Sequence, residues 1–185
     1  PSEGWIYADS LIEDKREIKR SILNGDYESV VGKIIVSKDD VVYIPSGTLH
    51  ALTRGSLVYE IQQSTDITYR FFDYNRLDND GKLRDLHLDD AIETLNTENR
   101  VKSSAFPKDT LVSEQPYTMV RKTLENVYHN TTDVAVAITV SKGSMCVDGH
   151  SILAGMSILV LPDEAISISQ AAEEVVIATP KLYFK

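Results

Sequence analysis

Residues 39–70 read DDVVYIPSGTLHALTRGSLVYEIQQSTDITYR, and their reading decides the fold. Val41, Val42, Tyr43 and Ile44 form a β-branched and aromatic run that stops at Pro45-Ser46-Gly47, so a strand is expected to enter a tight turn. His50 then emerges at the start of the next strand. Neutral imidazole is the commonest transition-metal ligand among side chains, and a strand end is a stiff place from which to aim one. A lone histidine is more often structural, so as a metal ligand His50 is a candidate that the residues alone leave open. Beyond it, Leu57 to Gln62 alternates, with Leu57, Tyr59 and Ile61 on one face and Val58, Glu60 and Gln62 on the other. Glu60 either lines a cavity, where burial would raise its pKa usefully for contact with substrate hydroxyls or proton transfer, or it faces solvent. The residues leave both open. Arg70 closes the stretch. A permanently charged guanidinium can steady the negative oxygen that develops as a proton leaves carbon, or it can form a surface ion pair with Asp66 or Asp73.

Composition sets the frame for these candidates. The chain has 185 residues, 42% of them hydrophobic, enough for one ordinary core or two small ones. No apolar run approaches the ~20 residues that span a bilayer, and the first residues lack the basic-then-apolar order of a signal peptide, so a cytoplasmic location and no membrane partner are expected. The formal charge of −9, from 28 acidic and 19 basic residues, argues against nucleic acid as a partner. One phosphate on a small molecule can still be held by a local cluster of donors. The single cysteine, Cys146, lies in the apolar run Met145-Cys146-Val147 and reads as a buried small hydrophobe.

Outward from residues 39–70, Glu13 to Leu23 (EDKREIKRSIL) puts Ile12, Ile18, Ile22 and Leu23 on one side of a helix that Asn24-Gly25 stops. Its Lys15, Arg16, Lys19 and Arg20 read as a solvated face. Strands are expected at Gly32–Ser37, Val41–Ile44, Leu57–Gln62 and Thr68–Tyr74. Asp78-Asn79-Asp80-Gly81 is a turn, and it leads to a second helix at Asp89–Leu95 that is expected to bridge two domains. From Phe106 the pattern returns to strands at 135–140, 144–147, 158–161, 166–169 and 175–178, with a hairpin signal at Asp148-Gly149. Residues 154–162 repeat in outline the 38–45 segment, with Pro162 in the place of Pro45. No histidine stands where the counterpart of His50 would be. His87, His129 and His150 lack the setting of His50; the first reads as structural, the other two as solvated.

The spacing Pro45-x-Gly47-x-x-His50 resembles the second sequence motif of the cupins, small β-barrels that hold a metal between two sheets. SGTLHAL followed by VYEIQQSTDITYRFFDYNR resembles the type I mannose-6-phosphate isomerases, especially their short bacterial form, and the likeness resumes in DGKLRDLHLDDAIETL and in the C-terminal stretch. It is specific over residues 41–76 and loose after about residue 100. The resemblance implies a mainly β fold of cupin-like (double-stranded β-helix, jelly-roll) barrels with a few short helices. It also implies a Zn²⁺ cofactor held in part by His50, catalysis by Arg70, and a sugar phosphate as the small-molecule partner. Asp39 stands where the motif has Gly, and Arg54 where it has Asn; neither change removes a ligand.

Cupins take most of their metal ligands from an earlier motif, and nothing before Lys33 resembles it. The expectation is therefore a C-terminal portion of a longer isomerase that interconverts mannose 6-phosphate and fructose 6-phosphate, with the first barrel incomplete and metal held weakly or not at all. The expected layout is a partial cupin domain over 1–88, a connecting helix and linker over 89–102, and a second cupin-like domain over 103–185. The rival class is a non-catalytic cupin module that binds a sugar or a partner protein. Oligomeric state is not legible.

Overall fold

The first sheet is built around a strand that contains GWIYADS, where Trp5, Ile6 and Tyr7 supply the β-favouring residues. In the computed structural model, which describes residues 3–62, 67–114 and 116–181, β1 (Glu3–Ser10) is followed by α1 (Lys15–Leu23), β2 (Val31–Ser37), β3 (Asp40–Tyr43) and β4 (His50–Ala51). β1 lies between antiparallel neighbours in the order β2-β1-β4, with Trp5 opposite Ile35, Tyr7 opposite Lys33 and Ala8 opposite His50. Asp9 bulges out of register at φ 67°, a left-handed conformation that Asp tolerates better than most residues. The bulge is tied on both sides: its N–H donates to the Leu49 carbonyl at 3.1 Å, and its carboxylate accepts from the Val101 N–H at 2.8 Å.

The helix α1 forms as the sequence suggests. Asp14 caps it by accepting from the Arg16 N–H, and Gly25, at φ 76°, lets the chain turn away after Asn24. Ile18 and Ile22 are buried with Val30 and Leu95, and Ile12, Tyr27, Leu49, Phe71, Leu88 and Ile92 pack around them. The second helix, α2 (Leu88–Thr94), therefore contributes to the core of the first unit and is not a bridge. β5 (Lys102–Ala105) pairs antiparallel with β3. The chain divides into compact units at 1–105 and 106–185, so residues 89–105 belong with the first unit, and the expected linker over 89–102 is replaced by packed structure. Leu95 decides this, since an apolar residue on a short helix is stabilised by the nearest core.

Two expected strands are absent. Residues 57–62 and 68–74 are irregular where described, and Leu77–Leu83 is an isolated bridge. Leu57 is 99% exposed, and Val58 and Tyr59 are also exposed. Alternation stabilises a strand only when a neighbour pairs with it, and no described strand of this chain lies alongside. Tyr74 and Asn75, both at positive φ, break any extended run there.

The second unit holds β6 (Leu111–Ser113), β7 (Tyr117–Lys122), β8 (Asn126–His129), β9 (Val136–Lys142) and β10 (Ser144–Val147), then β11 (His150–Leu153), β12 (Ser157–Val160), β13 (Ala165–Gln170) and β14 (Glu174–Pro180). They form a five-stranded sheet, β12-β9-β14-β7-β6, and a four-stranded sheet, β11-β10-β13-β8. Inward residues of both sheets, among them Val136, Ile138, Val140, Met145, Val160, Ile168, Val175 and Ile177, share one core. This is a jelly-roll-like sandwich of two sheets, without a closed barrel. Asp148 and Gly149, both at positive φ, make the expected tight hairpin between β10 and β11.

Candidate functional site

The turn that presents His50 is held from several directions. Thr48 N–H donates to the Pro45 carbonyl at 3.2 Å, Gly47 adopts φ 78°, and the Gly47 carbonyl accepts from the Asn96 N–H at 2.8 Å. The Asn99 side chain donates from Nδ2 to the Ser46 carbonyl at 2.9 Å and to Thr48 Oγ1 at 3.0 Å. His50 itself is exposed on β4, with Nδ1 2.9 Å from the Thr48 carbonyl oxygen. A carbonyl only accepts, so Nδ1 carries the proton and the lone pair of the neutral ring is on Nε2. That is the arrangement metal-bound imidazoles use.

Leu49 and Phe71, the neighbours of His50 and Arg70, pack on the same cluster. Arg70 is half-buried in an irregular segment, and its carbonyl accepts from the His87 N–H at 3.0 Å. Glu60 is exposed and off any strand, which is the solvent-facing one of the two positions the alternation left open. Asp66, one of the two carboxylates considered as a partner for Arg70, lies outside the described residues.

Asp73, the other, is the centre of a cluster that sequence reasoning missed. It is only 7% exposed, and its Oδ1 accepts from Arg76, with Nε at 3.2 Å and Nη2 closer. Arg84 Nη1 lies 3.2 Å from Oδ2, but that oxygen makes no hydrogen bond of good geometry, so charge alone holds it. The Arg76 hydrogen bond holds the Asp73 carboxyl below its usual range; burial opposes this, and the charges of Arg76, Arg84 and Arg70 reinforce it. Three guanidinium groups thus act on one carboxylate. The spacing Asp73-x-x-Arg76 was legible as an ion pair, whereas Arg84 reaches Asp73 only because the 78–81 turn folds the chain back. In that turn Asp78 Oδ1 accepts from the N–H groups of Asp80 and Lys82.

The second unit has a similar turn without an imidazole, but it starts at Leu161, so Pro162 stands one place later in it than Pro45 does in the first. After Pro162, Asp163 sits at φ 60° and the Glu164 carboxylate accepts from the Leu161 N–H at 2.7 Å. His129 and His150 are exposed, each with a ring nitrogen near a backbone carbonyl oxygen. Cys146 is half-buried. Among the described residues no group of three or more His, Cys, Asp or Glu is placed to hold a metal ion. A zinc site needs about three or four protein ligands, so His50 with the residues described here does not by itself fit the ion.

These features define a cupin-type β fold that presents one ring nitrogen and a buried-carboxylate arginine cluster. The chain is similar to mannose-6-phosphate isomerases in sequence over part of its length and in fold over nearly all of it. No protein-family profile matches it. The Bacillus subtilis strain 168 protein GmuF, named a probable mannose-6-phosphate isomerase, is 46% identical over 81 residues, 44% of this chain and 26% of GmuF. The mannose-6-phosphate isomerase of Streptococcus mutans is 41% identical over 83 residues, 45% of this chain and 26% of that enzyme. The crystal structure of the mannose 6-phosphate isomerase from Bacillus subtilis superposes with a TM-score of 0.71 at 24% identity, over 97% of this chain and 61% of that one. The matched stretch thus spans about a quarter of the length of these curated relatives.

Proposed function

We propose that this chain is part of a metal-dependent aldose–ketose isomerase that interconverts mannose 6-phosphate and fructose 6-phosphate. The observation that carries the reading is the 41–46% identity to GmuF and the Streptococcus mutans enzyme. The arginine cluster fits it. In a chain of net charge −9, Arg70, Arg76 and Arg84 offer a local positive field for an anionic sugar phosphate. In this chemistry a proton moves between adjacent carbons through an enediol, and negative charge grows on a sugar oxygen. Arg70 steadies that oxygen without giving up its own proton. His50 offers Nε2 toward a metal, which the resemblance makes zinc; no catalytic step is assigned to the ion, because the described residues do not complete its site. Glu60 contacts sugar hydroxyls from the exposed segment. The same reading places the protein in the cytoplasm, and no helix among the described residues is long and apolar enough to cross a membrane.

The rival, a non-catalytic cupin module, draws on the exposed Leu57, Val58 and Tyr59, which would suit association with a partner. A coupled assay of mannose 6-phosphate conversion separates the two. In the isomerase that contains this sequence, Arg70→Ala is expected to lower kcat by a factor on the order of 10² with metal content unchanged, and His50→Ala to lose metal and activity together. Near-normal turnover by the Arg70 variant overturns its catalytic role. These 185 residues alone are expected to be inactive, and robust turnover by them would show that they hold a complete site.

A further inference from the structure

We infer that Asn99 is a positioning residue for the His50 imidazole, acting through Thr48. The inference rests on the reading of His50 as the residue that faces a metal, and it assigns a role to a side chain on a different segment of the first unit. Asn99 Nδ2 lies 2.9 Å from the Ser46 carbonyl oxygen and 3.0 Å from Thr48 Oγ1. Because a carbonyl cannot donate, the amide has one workable orientation: nitrogen toward Ser46 and Thr48. These two bonds bracket Gly47, whose carbonyl is held by the Asn96 N–H and whose α-carbon lies against the end of α2. The peptide units of residues 46–48 are therefore fixed along their length. The last of them carries the Thr48 carbonyl, which receives Nδ1–H of His50 at 2.9 Å.

The direction of that carbonyl selects the tautomer. With Nδ1–H bound, the lone pair is on Nε2 and the ring plane is set; with the carbonyl turned away, the ring relaxes to the tautomer mixture and rotamers of a free imidazole. An exposed histidine at the end of a two-residue strand has little else to hold it. Thr48 is itself buried, so its hydroxyl has few alternatives to the Asn99 amide. Asn99 acts only by placing the ring.

Nitrogen-15 NMR of the His50 imidazole in this chain, recorded without metal well above the ordinary histidine pKa, tests the inference. The unsubstituted chain is expected to show His50 in the Nδ1–H tautomer; the Nε2–H tautomer there would overturn the proposal before any substitution is made. Asn99→Asp keeps the shape but turns an acceptor toward the Ser46 carbonyl, and Asn99→Ala removes the amide altogether. In either variant that retains the amide shifts of β1 and β4, the Nδ1–H tautomer is expected to give way to a mixture. A folded Asn99 variant with the tautomer unchanged overturns the role. The readout uses neither metal nor turnover, so a failed isomerase assay leaves it standing, and a failed tautomer test leaves the isomerase reading to its own assay.

Discussion

Gly47 lies against the end of α2 so closely that a β-carbon at position 47 would sit 2.8 Å from the carbonyl oxygen of Thr94. The same glycine holds φ 78°, so two separate constraints exclude a side chain. Gly47→Ala is expected to cost ~1–2 kcal/mol for the left-handed backbone alone, and more for the displaced helix end. Gly25→Ala is the control, at φ 76° with open space around it. Trp5, the single tryptophan, reports unfolding of the first unit, and the Gly47 variant should unfold at clearly lower urea concentration than the Gly25 variant. Equal midpoints would mean that the turn does not press on α2.

The Asp73 cluster predicts an acid-sensitive first unit. Its carboxyl titrates lower in the folded chain than in the unfolded one, chiefly through the Arg76 hydrogen bond and against the effect of burial, with the charges of Arg76, Arg84 and Arg70 adding to it. A depressed carboxylate contributes its stability above the unfolded value, roughly 3.9, and loses it as pH falls through the folded one. Stability measured by Trp5 fluorescence should therefore fall between about pH 5 and the folded pKa, and Asp73→Asn should flatten that slope. Parallel slopes for the two proteins would remove Asp73 from the account.

In the second unit, Arg121 and Glu174 join β7 to β14 through a 2.7 Å contact with both side chains largely buried. Burial pushes the Glu174 carboxyl up, but hydrogen bonds from Arg121 and Ser141 and the charges of Arg121 and Lys108 bring it below its ordinary value. Arg121→Met leaves that carboxylate with the Ser141 hydrogen bond but without its ion-pair partner and is expected to cost up to roughly 3–5 kcal/mol, whereas adding Glu174→Leu should recover much of the loss. Chemical unfolding followed by circular dichroism reads both. A double variant as unstable as the single would show that packing by the Arg121 stem outweighs the charge.

The sequence was most informative where a pattern could be met by nearby chain. Asn24-Gly25 ended α1, Asp148-Gly149 set the β10–β11 hairpin, and the turn after Pro45 led to His50 as expected. It misled where the pattern needed a neighbour that the described chain does not place there. Residues 57–62 alternate like a strand yet form none, and Glu60 is exposed there. The sequence pattern of α2 suggests a bridge because its anchor, Leu95, meets Ile18 and Ile22 only in three dimensions. Asn99 and Arg84 are not legible for the same reason: Arg84 reaches Asp73 only through the 78–81 turn, and Asn99 meets Ser46 and Thr48 across more than fifty residues of chain.

The position of β14 bears on how the second unit comes to exist. It lies between β9 and β7, yet it follows every other strand of that sheet along the chain. A ribosome releases the N-terminal strands first, so until residues 174–180 emerge the sheet is two separate pairs, β12-β9 and β7-β6, with unpaired edges and with Ile138 and Val140 lacking their cross-strand neighbours Ile177 and Val175. The nascent unit therefore has a vulnerable interval that closes in a single late step. A stop codon placed just before β14 would remove the middle of the sheet, leaving halves that are fit for aggregation and for little else.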